Sequence, residues 1–211
     1  MSWFLDILVF GGEKRDLPGP PPPVWRRVFH IFAGSAIPLA GIFAPETPMI
    51  IALAVLASGG LALDLVRFRL SWLNDTFTRF LEPLLKEDEN AHITGATYMA
   101  IAAFFVFALL GKDVAIPVMF FLSLGDPAAA IVGREMPGPR LLGKSPFGTL
   151  AFIGVGCATL VVLLMAGGIA HHWALWVGVS VAGLIELGSI PPDDNLAIPI
   201  ISGTVIFFLG V

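Results

Sequence analysis

Between two long apolar stretches, residues 125–148 read GDPAAAIVGREMPGPRLLGKSPFG, which sets Asp126, Arg134, Lys144 and Ser145 among glycines in an otherwise hydrocarbon-like chain. An unpaired aspartate costs roughly 2.5 kcal/mol or more at the centre of a membrane helix even on the mildest scale, so such a carboxylate lines a cavity or has a partner. Asp126 followed by Pro127 and an alanine run has the form of a helix start, the acid capping the first amides and the proline at the first helical position. The expectation is a broken membrane helix, because Val114 to Leu124 alone would rise only about 16 Å, too little for a ~30 Å core. Where a half-helix borders a protein-lined cavity, its N-terminus offers amides and a positive dipole end to an anion. Phosphate, with a divalent cation bridging it to Asp126, is the natural occupant, and modification of a lipid is the natural chemistry.

Gly143, Lys144, Ser145 and Gly148 form a second, cationic turn opening the next apolar segment, where glycines let backbone amides approach phosphate and Lys144 adds a point charge. The spacing is not that of a Walker loop. Four further polar groups flank the apolar segments: Arg26, Arg27 and His30; Asp64 and Arg67; Glu87, Asp88 and Glu89 running into Thr94-Gly95; and Asp193, Asp194 and Asn195. Arg27 and His30, like Asp64 and Arg67, stand at i, i+3 and share a helical face. Each group has a plainer use as a membrane-face anchor, a helix cap or an interhelical hydrogen bonder. His171 and His172, beside Trp173 and Trp176, read as interfacial anchors. No His/Cys grouping has zinc spacing, no Gly-x-Ser-x-Gly elbow occurs, and nothing supports nucleic-acid binding.

The elements that must position these residues are membrane helices. Of 211 residues, 56% are apolar and 13% charged, with a mean hydropathy of +0.87, a composition outside the soluble range. The fold expected is all-α and polytopic, with about seven spans at 24–43, 48–66, 92–111, 113–132, 148–168, 172–190 and 195–211. Residues 1–23 form an N-terminal interfacial segment and a PGPPPP spacer, with no signal-peptide pattern, and 24–211 form one membrane-embedded domain. The stretch from Arg67 to Asn90 has the pattern of an amphipathic helix lying at the membrane face. With the N-terminus inside, eleven of the twelve Lys and Arg fall on the cytoplasmic face, leaving Lys112 outside. The polar groups then share that cytoplasmic face, which is where an active site is expected. The single Cys157 excludes a disulfide framework.

The ordered set Arg26-Arg27-x-x-His30, Asp64-x-x-Arg67, acidic-x-x-Thr94-Gly95-Ala96-Thr97, GDPAAAIVGR, Lys144-Ser145-x-x-Gly148-Thr149 and Asp194-Asn195-Leu196-x-Ile198-Pro199 resembles the CTP-dependent lipid-alcohol kinases, which include dolichol, phytol and diacylglycerol kinases. The similarity covers most of the chain after residue 24. Two departures stand out: MPGPR lies between Gly133 and Lys144 where many members carry Gly-Lys or Gly-Arg, and Pro146-Phe147 replaces a commoner apolar-Glu pair. The resemblance implies transfer of the CTP γ-phosphoryl group to a lipid hydroxyl. With the residues, it implies Mg²⁺ between phosphate and Asp126, with Asp194 as second carboxylate. Gly125, Arg134, Gly143, Lys144, Ser145, Gly148 and Asn195 would contribute to the nucleotide site, and Arg27 and Arg67 would stabilise developing charge. The hydroxyl's proton acceptor is left open among His30, Asp64 and Asp194. The rivals are a cytidylyltransferase making a CDP-lipid, and a small anion or lipid transporter. Lipid identity and oligomeric state are not legible.

Overall fold

The computed structural model describes residues 24–81, 83–85, 89, 91–138 and 140–211. The N-terminal segment 1–23, Glu87 and Asp88 lie outside the described residues. The helices are α1 (Val24–Phe43), α2 (Glu46–Arg67), α3 (Ser71–Leu81), α4 (Gly95–Leu109), α5 (Lys112–Phe120), α6 (Asp126–Glu135), α7 (Pro146–Met165), α8 (Ala174–Gly188) and α9 (Asp194–Phe208), and no strand occurs among the described residues. Their ends follow local chemistry. Thr94 caps α4 by accepting from the Thr97 amide, and Asp193, not Asp194 or Asn195, caps α9 by accepting from the Asn195 amide.

Among the described residues, three helices are long and apolar enough to cross a membrane: Glu46–Arg67, the composite Lys112–Glu135 and Pro146–Met165. Three further apolar helices, α4, α8 and α9, have 15 residues each, about 22 Å of rise, shorter than a ~30 Å core. Leucine, valine and isoleucine side chains of α2 such as Ile51, Val55 and Leu56 face outward, as in a protein surrounded by lipid. The short α3 buries none of its residues, and Trp72 and Phe80 are exposed, consistent with the amphipathic pattern expected there.

The break expected at Asp126 is absent. Phe121–Gly125 forms a π-helical turn that joins α5 to α6, so that Lys112–Glu135 runs as one 24-residue helix whose most apolar window is 72% buried. Asp126 has helical φ and ψ of −61° and −47° and makes no capping bond. Pro127 supplies the physical reason: it lacks an N–H, and its ring would strike the carbonyl four residues back in a regular α-helix. Widening the preceding turn absorbs that conflict without a break, as π-turns do, often at functional sites.

This kinked helix is the axis of the molecule. Helix α1 lies against it closely: a side chain at Gly34 would meet Ser123 Cβ at 2.8 Å, and Ser35 and Ser123 hydroxyls are 2.9 Å apart. On the other side Phe152 of α7 leaves no room for a side chain at Gly125, where a Cβ would come within 2.9 Å of its ring. Small residues at helix contacts are the usual means by which membrane helices pack.

Candidate functional site

Two polar clusters form where the sequence placed one. The first surrounds a cavity of about 230 Å³ at the junction of α1, α6, α7, α8 and the loop before α7. Asp126 and Arg134 reach it from α6, Arg27 from α1, Arg140 and Lys144 from the loop, and Glu186 from α8. The loop is shaped by a two-residue turn: Leu141 and Lys144 exchange backbone hydrogen bonds of 2.8 and 2.9 Å, and Leu142 and Gly143 both take positive φ, 51° and 84°. That turn delivers Lys144, and Ser145 then caps α7 with no side-chain bond, followed by Pro146 at the first helical position. Ser145 and Gly148 line the cavity, so the start of a 20-residue helix, with its positive dipole end, opens on it. The helix start that opens on the cavity is therefore the one at Ser145, and not the one expected at Asp126.

Helices α6 and α7 touch backbone to backbone beside this cavity. A Cβ at Gly148 would lie 2.7 Å from the Ala129 carbonyl oxygen, and one at Gly133 would lie 3.4 Å from Gly148 Cα. Because the obstacle is main chain, Gly148→Ala is expected to push the helices apart and cost about 1–3 kcal/mol, read as a lowered midpoint of thermal unfolding in detergent.

Two opposite charges on the cavity have no partner among the described residues. Arg27 Nε is buried without an acceptor, and among the described residues Asp126 has no hydrogen bond or ion pair. They do not pair with each other. A half-buried carboxylate and guanidinium left unmatched in one cavity are an incomplete electrostatic arrangement. Lys144 is different: its Nζ is 2.7 Å from Asp194 Oδ2 and 3.0 Å from Glu186 Oε1. Burial lowers its pKa, but the two carboxylates outweigh that and hold it above the ordinary value of 10.5. With the folded pKa raised, whatever Lys144 contributes to stability is fully present below pH 10.5 and is lost only as pH rises through the folded value. A stability profile should therefore show no Lys144-dependent step between pH 6 and 9, checked by comparing wild type with Lys144→Met.

Among the described residues, no three His, Cys, Asp or Glu side chains converge as a metal cage. The unpartnered Asp126, within electrostatic range of Asp194 and Glu186, instead fits Mg²⁺, which binds through one or two carboxylates and otherwise through phosphate and water.

The second cluster is a buried clasp. Arg67, 0% exposed, donates from Nε to Asp64 Oδ1 at 2.7 Å, from Nη1 to Asn74 Oδ1 at 2.8 Å, and from Nη2 to the carbonyls of Glu89 and His92 at 2.8 and 2.6 Å. Phe68 and Phe77 rings flank its guanidinium at 4.4 and 4.7 Å. Asp64 Oδ2 accepts from the Thr94 amide at 3.0 Å, and Glu89 Oε1 from the Gly95 amide at 2.7 Å. All of this fastens the end of α2 to the start of α4.

Of the expected site residues, the cavity gathers Arg27, Asp126, Arg134, Lys144, Ser145 and Gly148, with Asp194 joined through Lys144 and Gly143 in the turn. Asp64 and Arg67 are not brought there; both are saturated in the clasp. Asn195 is bound to Asp193 Oδ1 at 2.6 Å and packs toward Gly95. Gly125 packs on Phe152, and His30 Nε2 donates a long 3.4 Å bond to the Leu122 carbonyl of the π-turn. Besides Arg140, Glu186 is the functional candidate the sequence reading missed. Its signal was available, since it is the only acid in the apolar α8, and an ionisable residue in such a helix needs a reason.

No family model matches the chain, and no solved structure matches it significantly. The chain is 25% identical over 181 residues to an uncharacterized protein of Rickettsia prowazekii, covering 83% of this chain and 88% of that one. It is 28% identical over 166 residues to the CTP-dependent diacylglycerol kinase 1 of Saccharomyces cerevisiae, covering 75% of this chain and 52% of the yeast protein. It is 26% identical over 161 residues to the CTP-dependent diacylglycerol kinase 1 of Schizosaccharomyces pombe, covering 69% of this chain and 74% of that protein. The matched region thus spans about half the length of the budding-yeast relative.

Proposed function

We propose that this protein is an integral membrane kinase that transfers the γ-phosphoryl group of CTP to the hydroxyl of a lipid alcohol, of the polyprenol, phytol-like or diacylglycerol class. The observation that carries the reading is the pair of unpartnered opposite charges, Arg27 and Asp126, on one cavity shared with Lys144 and the start of α7. A polyphosphate with its counter-cation completes both: phosphate oxygens match the guanidinium, and the cation matches the carboxylate. Similarity to two CTP-dependent diacylglycerol kinases supports CTP as donor and a lipid hydroxyl as acceptor. The cavity, at about 230 Å³, is smaller than the ~300–1,000 Å³ of a typical whole-ligand pocket. It suits the phosphates and their ion, with the nucleoside and the lipid approaching from outside.

In this reading Asp126, with Asp194 as a second carboxylate, would hold Mg²⁺, which would supply neutralisation of phosphate charge. The chain's own residues do the positioning. Arg27 and Lys144 hold the phosphates, the α7 amides add donors, and Gly133 and Gly148 let backbone approach backbone beside them. Arg134 and Arg140 extend the positive rim toward the nucleoside. Of His30, Asp64 and Asp194, only Asp194 touches the cavity's charge network, so it is the proton acceptor retained here. The lipid enters laterally past the exposed Ile131, Met136, Phe147 and Leu150. The proposal keeps about seven spans, a single domain over 24–211, an N-terminal interfacial segment, and the active site on the cytoplasmic face where the basic loops gather.

The test uses purified protein in detergent or lipid with Mg²⁺, a panel of lipid alcohols, and CTP labelled separately at its γ- and α-phosphorus. Transfer of γ-label alone into the organic phase is the expected result and names the acceptor. Transfer of α-label would overturn it in favour of cytidylyl transfer, and transfer of neither would favour binding or transport.

A further inference from the structure

Glu186 stands out because both of its oxygens are committed. Oε1 lies 3.0 Å from Lys144 Nζ and Oε2 accepts from the Thr149 hydroxyl at 3.1 Å, so three chain segments meet at one buried carboxylate. Lys144 is also 2.7 Å from Asp194, but the two acids are not equivalent: the Asp194 side chain is 25% exposed and that of Glu186 only 6%. An anion entering the cavity competes with these carboxylates for the ammonium. Asp194 can yield, because water compensates its charge, and its carboxylate has Asp126 and Asp193 as like-charged neighbours. Glu186 cannot yield without leaving a buried charge unpaired, which is among the costlier events in a protein interior.

We infer that Glu186, backed by the Thr149 hydroxyl, is a positioning residue that tethers Lys144 at the cavity, so that bound phosphate displaces Asp194 and leaves the tether in place. The inference deepens the kinase reading and rests on it for the identity of the phosphate. Its consequence is an order of events: the Asp194 carboxylate becomes available to other partners only once phosphate has taken its place on Lys144.

A double-mutant cycle on the full chain tests this, with wild type, Glu186→Gln, Lys144→Met and the pair, measuring KM for Mg·CTP and kcat. Glu186→Gln is expected to raise KM about tenfold with a smaller change in kcat, and this factor should vanish in the Lys144→Met background. Thr149→Val should raise KM in the same direction, and Thr149→Ser, which keeps the hydroxyl, should restore it. Should Glu186→Gln fail to fold, the Thr149 pair in both Lys144 backgrounds reads the same coupling. The inference is overturned if Glu186→Gln keeps its full effect without Lys144, if it lowers kcat at unchanged KM, or if it changes neither. Wild type that transfers no γ-label would sink the kinase reading instead. In that event the stabilisation of the same variants by inorganic triphosphate, read as a shift of the unfolding midpoint, still decides the tether, with the same pattern expected.

Discussion

Asp126→Asn is expected to abolish γ-phosphoryl transfer, by about 10³-fold or more, equivalent to roughly 4 kcal/mol of transition-state stabilisation, while leaving the protein as stable as wild type or more so. The two halves of this prediction have one cause. Asp126 has no hydrogen bond or ion pair among the described residues, so nothing in the fold depends on its charge. Asp194 and Glu186 stand close enough to repel it. Asparagine keeps the shape, removes that repulsion and reduces the penalty of holding a charge away from water. What it cannot do is neutralise a cation bridging to phosphate. A side chain retained at a cost to stability has a use elsewhere. The decisive measurement pairs label transfer with thermal unfolding of the same preparation. If Asp126 were only a structural cap, activity and stability would fall together.

Much of the architecture was legible because a helix in lipid needs a long apolar run: the expected segments 24–43 and 48–66 correspond to Val24–Phe43 and Glu46–Arg67, and the cavity forms from the polar residues around the Asp126 and Lys144 turns. Three features were hidden, each for a physical reason. Proline after Asp126 writes the same sequence whether a helix starts there or widens into a π-turn, and the packing of α1 and α7 on Phe121–Gly125 that accompanies the second is not written beside it. Asp64 and Arg67 at i, i+3 look alike in an active site and in a clasp. What separates them is the identity of the long-range acceptors, the carbonyls of Glu89 and His92, which lie 22 and 25 residues beyond Arg67. Glu186 was lost in an apolar helix whose rotation about its axis the sequence leaves open, since the hydrophobic pattern of α8 is nearly uniform around it. The number of spans is less legible than the positions of the helices because α4, α8 and α9, with 15 residues each, are apolar yet shorter than a full crossing.

The clasp leads to the second large effect, opposite in kind. Arg67→Leu is expected to lower stability by about 3–5 kcal/mol, the range for breaking a buried pair from one side, with activity lost only as the fold is lost. The guanidinium satisfies Asp64, the Asn74 amide oxygen and two main-chain carbonyls at once. Its removal leaves a carboxylate that is 1% exposed without its cation and takes one donor from each of two carbonyls. Arg67→Lys is the informative companion. It keeps the positive charge, yet a single ammonium cannot spread over four acceptors set around a planar fork, nor lie flat between Phe68 and Phe77 as the guanidinium does. Lysine is therefore expected to recover less than half of the lost stability. Had Arg67 served to stabilise charge on transferred phosphate, the same lysine would keep part of the activity and all of the fold. Comparing the unfolding midpoint in detergent with the rate per folded molecule separates the two outcomes. A stable, folded and slow Arg67→Lys would return Arg67 to the active site. An unstable one whose folded fraction turns over normally would leave it as the fastening between α2 and α4, outside the reach of the substrate.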